Sequence, residues 1–191
     1  TVQVGKLSIQ GTVNTMGVTA TAAFAAINRI DDFAYIPEQN IGHAMTSVMA
    51  QNRGAGETKR IKEAFRAGMY IELVYGGITG ILLLFLANPL MRLFTQDEMT
   101  VITGEQYLHL IAFMYMIPAV TNGVQGYFRG MGDLKITLWS SLINMGVRVA
   151  VCFFLVFGCK MGITALPWAY LAGWLAMMLY ELPFLWRRFV K

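Results

Sequence analysis

The stretch from Ala20 to Ala50 constrains this chain most, because it is long and apolar yet contains Arg29, Asp31, Asp32 and Glu38. A Gly- and Lys/Arg-rich segment, QNRGAGETKRIKEAFR, follows at once over residues 51–66. An ionisable group inside a segment otherwise fit for lipid costs roughly 2.5–3.5 kcal/mol on insertion scales, and such groups mark pathways and relays. At about 1.5 Å per residue the stretch reaches roughly 46 Å, against a hydrocarbon core of about 30 Å. Pro37, near its middle, removes a helical hydrogen bond and predicts a kink or local unwinding.

Composition points the same way. The 191 residues are 56% hydrophobic and only 14% charged, where soluble domains carry about 25% charge; mean hydropathy is +0.52. Of the fifteen cations, ten fall in three places, 53–66, 129–135 and 187–191. That placement reads as cytoplasmic loops rather than a nucleic-acid-binding stripe, and no nucleic-acid motif is present. Cys152 and Cys159 lack the spacing of a metal site. The opening at Thr1, already within a semi-apolar stretch and without a signal-peptide pattern, reads as a truncated first span.

Runs long enough to cross a membrane lie at 2–16, 20–50, 67–86, 107–128, 136–157 and 161–186, the first short and polar with Lys6, Gln10 and Asn14. The loops alternate in charge: 51–66 is basic, 88–105 holds Arg92 against Asp97, Glu98 and Glu105, 129–135 is basic again, and 186–191 is strongly basic. The positive-inside rule therefore predicts a multi-pass protein of the plasma membrane with its C-terminus in the cytoplasm. Trp168, Trp186 and Tyr180 suit interfacial positions, whereas Trp174 fits ordinary helix packing equally well.

Several polar groups fall within the spans. Arg29 and Asp32 are three apart and can pair on a helix, lowering their joint burial cost. Asp31, Tyr35 and Glu38 share a stripe, and Asp31 or Glu38 is the candidate proton carrier; a purely structural role beside a water-filled mouth stays open. Gln10 and Asn14 form one polar face, Asn122 and Gln125 another beyond Pro118, which again predicts a kink. Asn144 and Arg148 are four apart, and Arg148 needs a carbonyl or carboxylate partner or an aqueous path. Interhelical hydrogen bonding is the alternative to substrate contact for these pairs. Glu72 and Glu181 are read as snorkelling toward the cytoplasmic ends.

Enzyme signatures are missing: the sequence has no G-x-x-x-x-G-K-[ST], H-E-x-x-H or G-x-S-x-G. No cofactor is expected. Without a nucleotide site, transport would draw on an ion gradient.

Three ordered motifs carry a resemblance. Ala50-Gln51-Asn52-Arg53-Gly54-Ala55-Gly56 resembles the A-Q-N-x-G-A-G cytoplasmic loop of the multidrug and toxic compound extrusion (MATE) family. Gln125-Gly126-Tyr127-Phe128-Arg129-Gly130-Met131-Gly132-Asp133 resembles that family's Q-G-x-x-R-G-x-G-D turn, and 26–37 is similar to the helix before its first loop. The resemblance implies an all-α membrane protein: a six-helix transmembrane bundle equivalent to helices seven to twelve of a twelve-helix fold, with the first helix truncated. It implies one transmembrane C-terminal lobe over 1–191 whose N-terminal lobe is absent. The implied activity is export of small amphipathic, often cationic compounds in exchange for H⁺ or Na⁺, by rocking two lobes around a central cavity. Membrane lipid and the missing N-terminal lobe are the implied partners. Sodium-type members carry an Asp after Ile-Pro where this chain has Ala119 after Ile117-Pro118, so H⁺ is favoured and Na⁺ stays possible. The expected pathway residues are Gln10, Asn14, Asp31, Asp32, Tyr35, Glu38 and Asn144, with Arg29 and Arg148 in structural pairing. A lipid-linked oligosaccharide flippase of the same superfamily is the alternative, and it would want more Arg and Lys in the cavity.

Overall fold

The computed structural model describes residues 2–190, with side chains from 5 to 189; Thr1 and Lys191, the latter part of the basic tail, lie outside the described residues. The described residues form seven α-helices: α1 (Val2–Asn14), α2 (Val18–Gly54), α3 (Thr58–Arg92), α4 (Glu98–Ala112), α5 (Met116–Gly130), α6 (Leu134–Phe153) and α7 (Ala165–Val190). A π-helical turn, Phe154–Gly158, extends α6. No strand occurs among the described residues. The six runs expected as spans correspond to α1, α2, α3, the α4–α5 pair, α6 with its π turn, and α7.

By length and composition α3 and the extended α6 are each fit to cross a membrane, and α4 with α5 passes as one broken span bent by 54°. The outward face of α3 explains why. Ile71, Val74, Ile78, Ile81, Leu82 and Phe85 recur at helical spacing and are all exposed, an arrangement that suits lipid rather than water. The opposite face of α3 is Gly68, Glu72, Gly76, Gly80, Leu83, Ala87 and Met91, all buried.

α5 sits at the centre, with ten of its residues buried, packed on α2 and α3. Glycine makes this approach possible: a Cβ on Gly126 would lie 2.6 Å from the Gly42 carbonyl oxygen, and one on Gly130 would lie 2.8 Å from that of Thr46. The Thr46 hydroxyl bridges the same contact, donating to the Gly42 and Gly126 carbonyls at 2.9 and 3.2 Å.

The two motif turns adopt one geometry. After α2, the Glu57 N–H bonds the Asn52 carbonyl and the Gly56 N–H that of Arg53; after α5, Asp133 bonds Phe128 and Gly132 bonds Arg129. Both are Schellman closures that need a left-handed residue, and Gly56 (φ 73°) and Gly132 (φ 74°) supply it. The Arg53 guanidinium donates to the Met131 carbonyl, tying one turn to the other. Arg188 of α7 pairs with Asp133 at 2.9 Å and brings the basic tail to the same end.

The two proline expectations have different outcomes. α2 remains helical through Pro37, so the expected unwinding does not occur. Tyr75 of α3 donates to the Ala34 carbonyl at 3.0 Å, beside the Phe33 carbonyl whose helical donor Pro37 removes. The kink expected at Pro118 is present: the fourth span bends by 54° at 113–115, on the N-terminal side of Pro118, where a proline interrupts a helix. Pro118 occupies the first turn of α5, where a missing N–H costs nothing. That span also begins earlier than its hydropathy indicated, at Glu98, because Asp97 caps the helix by accepting from the Thr100 N–H at 2.8 Å.

Candidate functional site

Two apolar clusters hold the bundle together. A larger one joins α1, α2, α3, α4, the end of α6 and the start of α7, and a smaller one around Met45, Met49, Tyr127 and Phe128 lies near the two glycine turns. Polar side chains gather between them, around a cavity of about 350 Å³.

The cavity wall is a set of helical stripes. α2 contributes Asn28, Asp31, Asp32, Tyr35 and Gln39; α5 contributes Pro118, Thr121, Asn122, Gln125 and Arg129. Ser141, Asn144, Met145 and Arg148 come from α6, Tyr170, Trp174 and Met177 from α7, and Lys6 from α1. Each set recurs at three- and four-residue intervals, so one face of each helix looks inward. A wall that mixes aromatic surface with a few convergent polar groups is the usual make-up of a small-molecule site, and the volume is within the usual range of roughly 300–1,000 Å³.

Hydrogen bonds fix the wall. The Tyr115 hydroxyl donates to Asp31 Oδ1 at 3.0 Å, and the Tyr35 hydroxyl donates to Asn122 Oδ1 at 3.3 Å. Gln125 Nε2 donates to Ser140 Oγ at 2.7 Å and to Glu181 Oε1 at 2.5 Å, joining α5, α6 and α7. Asn144 Nδ2 contacts Met177 Sδ at 3.4 Å. The Arg148 guanidinium lies 4.2 Å from the Tyr170 ring centroid and 5.6 Å from that of Trp174.

Of the residues expected from the sequence, Asp31, Asp32, Tyr35, Asn144 and Arg148 line this cavity. Gln10 and Asn14 do not; they bond to each other at 3.1 Å. Glu38 is also outside the wall. It is fully buried, and neither carboxyl oxygen has a hydrogen-bond partner. Its register points it at α3, where Oε1 lies 3.7 Å from the place a Cβ on Gly76 would take.

The Arg29–Asp32 pair does not form. Arg29 is exposed on the helix surface, and the ion pairs among the described residues are Lys59–Glu63, Arg92–Glu98 and Arg188–Asp133. Arg148 likewise has no carboxylate within 4.0 Å and rests on aromatic rings instead. Glu72 and Glu181 do not snorkel: they are 0% and 1% exposed. Sequence reasoning also passed over Tyr115 and Arg129 as wall residues. No cluster of three or more His, Cys, Asp or Glu side chains that could hold a metal occurs among the described residues.

A helical bundle with a lipid-fit outer face around a polar cavity defines an integral membrane protein. The MatE family model matches residues 1–154, and the chain belongs to that family of transporters. It is 25% identical over 182 residues to the probable multidrug resistance protein YoeA of Bacillus subtilis, covering 93% of this chain and 39% of that protein. It is 30% identical over 143 residues to the probable multidrug resistance protein YpnP of the same organism, covering 75% of this chain and 32% of that one. Among solved structures, a MOP superfamily transporter from Pyrococcus furiosus superposes with a TM-score of 0.90 at 18% identity, over 96% of this chain and 41% of that chain. That likeness establishes the fold. The chain spans about two fifths of the length of the first of these relatives and of the solved structure.

Proposed function

We propose that this chain is the C-terminal lobe of a secondary active multidrug antiporter, and that it works against a second six-helix lobe by rocker-switch alternating access. One observation carries this reading. Arg29, Asp32, Gln39 and Asn40 are exposed near the middle of α2, a depth at which lipid cannot solvate them. A second protein body with an aqueous face satisfies these groups, and a twin bundle is the cover that alternating access requires.

The exported compounds in this reading are small and amphipathic, and protons drive the exchange. Ala119 stands where an acid would serve sodium; it packs against α3, 3.0 Å from the place a Cβ on Gly76 would take. We assign the proton to Asp31, which lies in the cavity wall within reach of water, rather than to the enclosed Glu38. The C-terminus lies in the cytoplasm of a plasma-membrane protein, in keeping with the basic 51–66 and 129–135 turns. The test is ethidium efflux from energised vesicles carrying both lobes. Efflux is expected to collapse when a protonophore is added, and Asp31→Asn is expected to fall to the level of vesicles without transporter. Sodium-driven efflux untouched by the protonophore would overturn the proton assignment.

Flipping of a lipid-linked oligosaccharide is the second reading, favoured by three basic wall residues, Lys6, Arg129 and Arg148. Three cations are few for the two phosphates of a pyrophosphate, which makes this the weaker account.

A further inference from the structure

The basic groups of the cavity, Lys6, Arg129 and Arg148, take no part in the hydrogen bonds that join the wall. Arg148 rises from α6 where that helix presses on α7: a Cβ on Gly173 would lie 2.8 Å from the Asn144 carbonyl oxygen and 3.2 Å from Arg148 Cβ. The backbone under the side chain is thereby fixed. The guanidinium is held 4.2 Å from the Tyr170 centroid and 5.6 Å from the Trp174 centroid. Its Nε is buried without a hydrogen-bond partner, and no carboxylate lies within 4.0 Å of it among the described residues.

A guanidinium stacked on rings keeps its planar fork of N–H donors free along its edge. That fork matches the two oxygens of a carboxylate or phosphate, with which arginine forms bidentate, charge-assisted bonds. No carboxylate among the described residues contacts it directly. Asp31 is engaged by the Tyr115 hydroxyl, and Lys6 and Arg129 add two further cations to the same wall, against Asp31 and Asp32. Arg129 Nε is also buried and without a partner.

We infer that Arg148, on its Tyr170–Trp174 platform, is an anion subsite, and that the preferred substrates carry a carboxylate or phosphate beside an apolar body. This deepens the transporter reading and rests on it for the word substrate; the subsite itself stands on the geometry. The same chemistry admits either a soluble acid or the headgroup of an acidic lipid.

The experiment uses two dyes that differ only at one carboxyl: rhodamine 110, the free acid, and rhodamine 123, its methyl ester. Binding is read by fluorescence anisotropy on the full chain in phosphatidylcholine nanodiscs. The acid is expected to bind at least about tenfold more tightly than the ester, a difference of about 1.4 kcal/mol. Arg148→Gln is expected to erase the preference, and Arg148→Lys to keep part of it. Equal or tighter binding of the ester to the unmodified chain overturns the subsite, and that comparison needs no variant to fold. An acid preference that survives Arg148→Gln also overturns it. Loss of rhodamine 110 binding when phosphatidylglycerol replaces part of the lipid assigns the site to headgroups, and its persistence assigns it to soluble acids; both support the shared chemistry. Efflux of rhodamine 123 by the two-lobed protein, without an acid preference in binding, would remove the subsite and leave the transporter. An acid preference in binding without efflux of either dye would do the reverse.

Discussion

At the residue scale, the buried acids are the least expected feature. Glu38, Glu72 and Glu181 are at most 1% exposed, and of their six carboxyl oxygens only Glu181 Oε1 has a hydrogen-bond partner. Hydropathy hid Glu72 and Glu181 because a carboxylate lowers a span's average wherever it points. The register does reveal them. Gly68, Glu72, Gly76 and Gly80 fall at four-residue intervals on α3, and Ala169, Gly173, Met177 and Glu181 do so on α7; every one of these is buried. An acid in line with small residues sits at a helix–helix seam, since small residues mark where backbones approach. Gln125 gives Glu181 its donor, so Gln125→Leu is expected to destabilise the chain by about 1–3 kcal/mol, the cost of stranding a buried polar group. Gln125→Leu combined with Glu181→Leu should recover part of that loss, because the stranded acid is gone. Thermal unfolding in detergent measures both, and a double variant no more stable than the single one would contradict the account.

At the scale of elements, the helices and their order were legible because membrane spans announce themselves by apolar length, and the two motif turns by glycine at fixed offsets. What escaped was the end of each element and the facing of each side chain. The fourth span began as a helix within a segment read as loop, since Asp97, Glu98 and Glu105 look like loop residues until the cap is recognised. The Asp97 carboxyl is held below the usual carboxylate range by the Thr100 hydroxyl, at 2.5 Å, and by the Thr100 N–H. Because the folded value is the lower one, the cap is fully formed above the ordinary aspartate range and is lost as pH falls through the folded value. Asp97→Ala should therefore speed amide exchange in the first turn of α4 near neutral pH. Asp97→Asn should have a smaller effect that varies little as the solution is acidified. Equal exchange rates in all three proteins would remove the cap from the explanation. The α2–α5 contact offers a second check. A side chain at 126 would meet backbone, the Gly42 carbonyl oxygen, and not a flexible neighbour. Gly126→Leu should cost about 1–3 kcal/mol by overpacking, whereas Gly146→Leu, where a Cβ would meet nothing within 4 Å, should leave the melting temperature close to that of the parent.

At the scale of the whole molecule, lipid-fit and water-fit surfaces share one bundle. α3 turns Ile71, Val74, Ile78 and Phe85 outward, while α2 exposes Arg29, Asp32, Gln39 and Asn40 and α1 exposes Lys6. One body cannot bury both kinds of face in a bilayer, so the polar face has to meet protein and water. Arg53 on the Met131 carbonyl and Arg188 on Asp133 tie the two glycine turns and the end of α7 together. In the two-lobe cycle proposed above, one lobe can bind, but it cannot expose its site to two sides of a membrane in turn, because that exchange needs a second body to rock against. The chain by itself in vesicles is therefore expected to bind rhodamine dyes and to give no vectorial efflux above empty vesicles. Coexpression with a six-helix N-terminal lobe should establish efflux, and crosslinks from cysteines placed at Asp32 or Gln39 should then join the two lobes. Sustained efflux from vesicles holding this chain alone would refute the division of labour, since it would mean that one bundle performs both halves of the cycle.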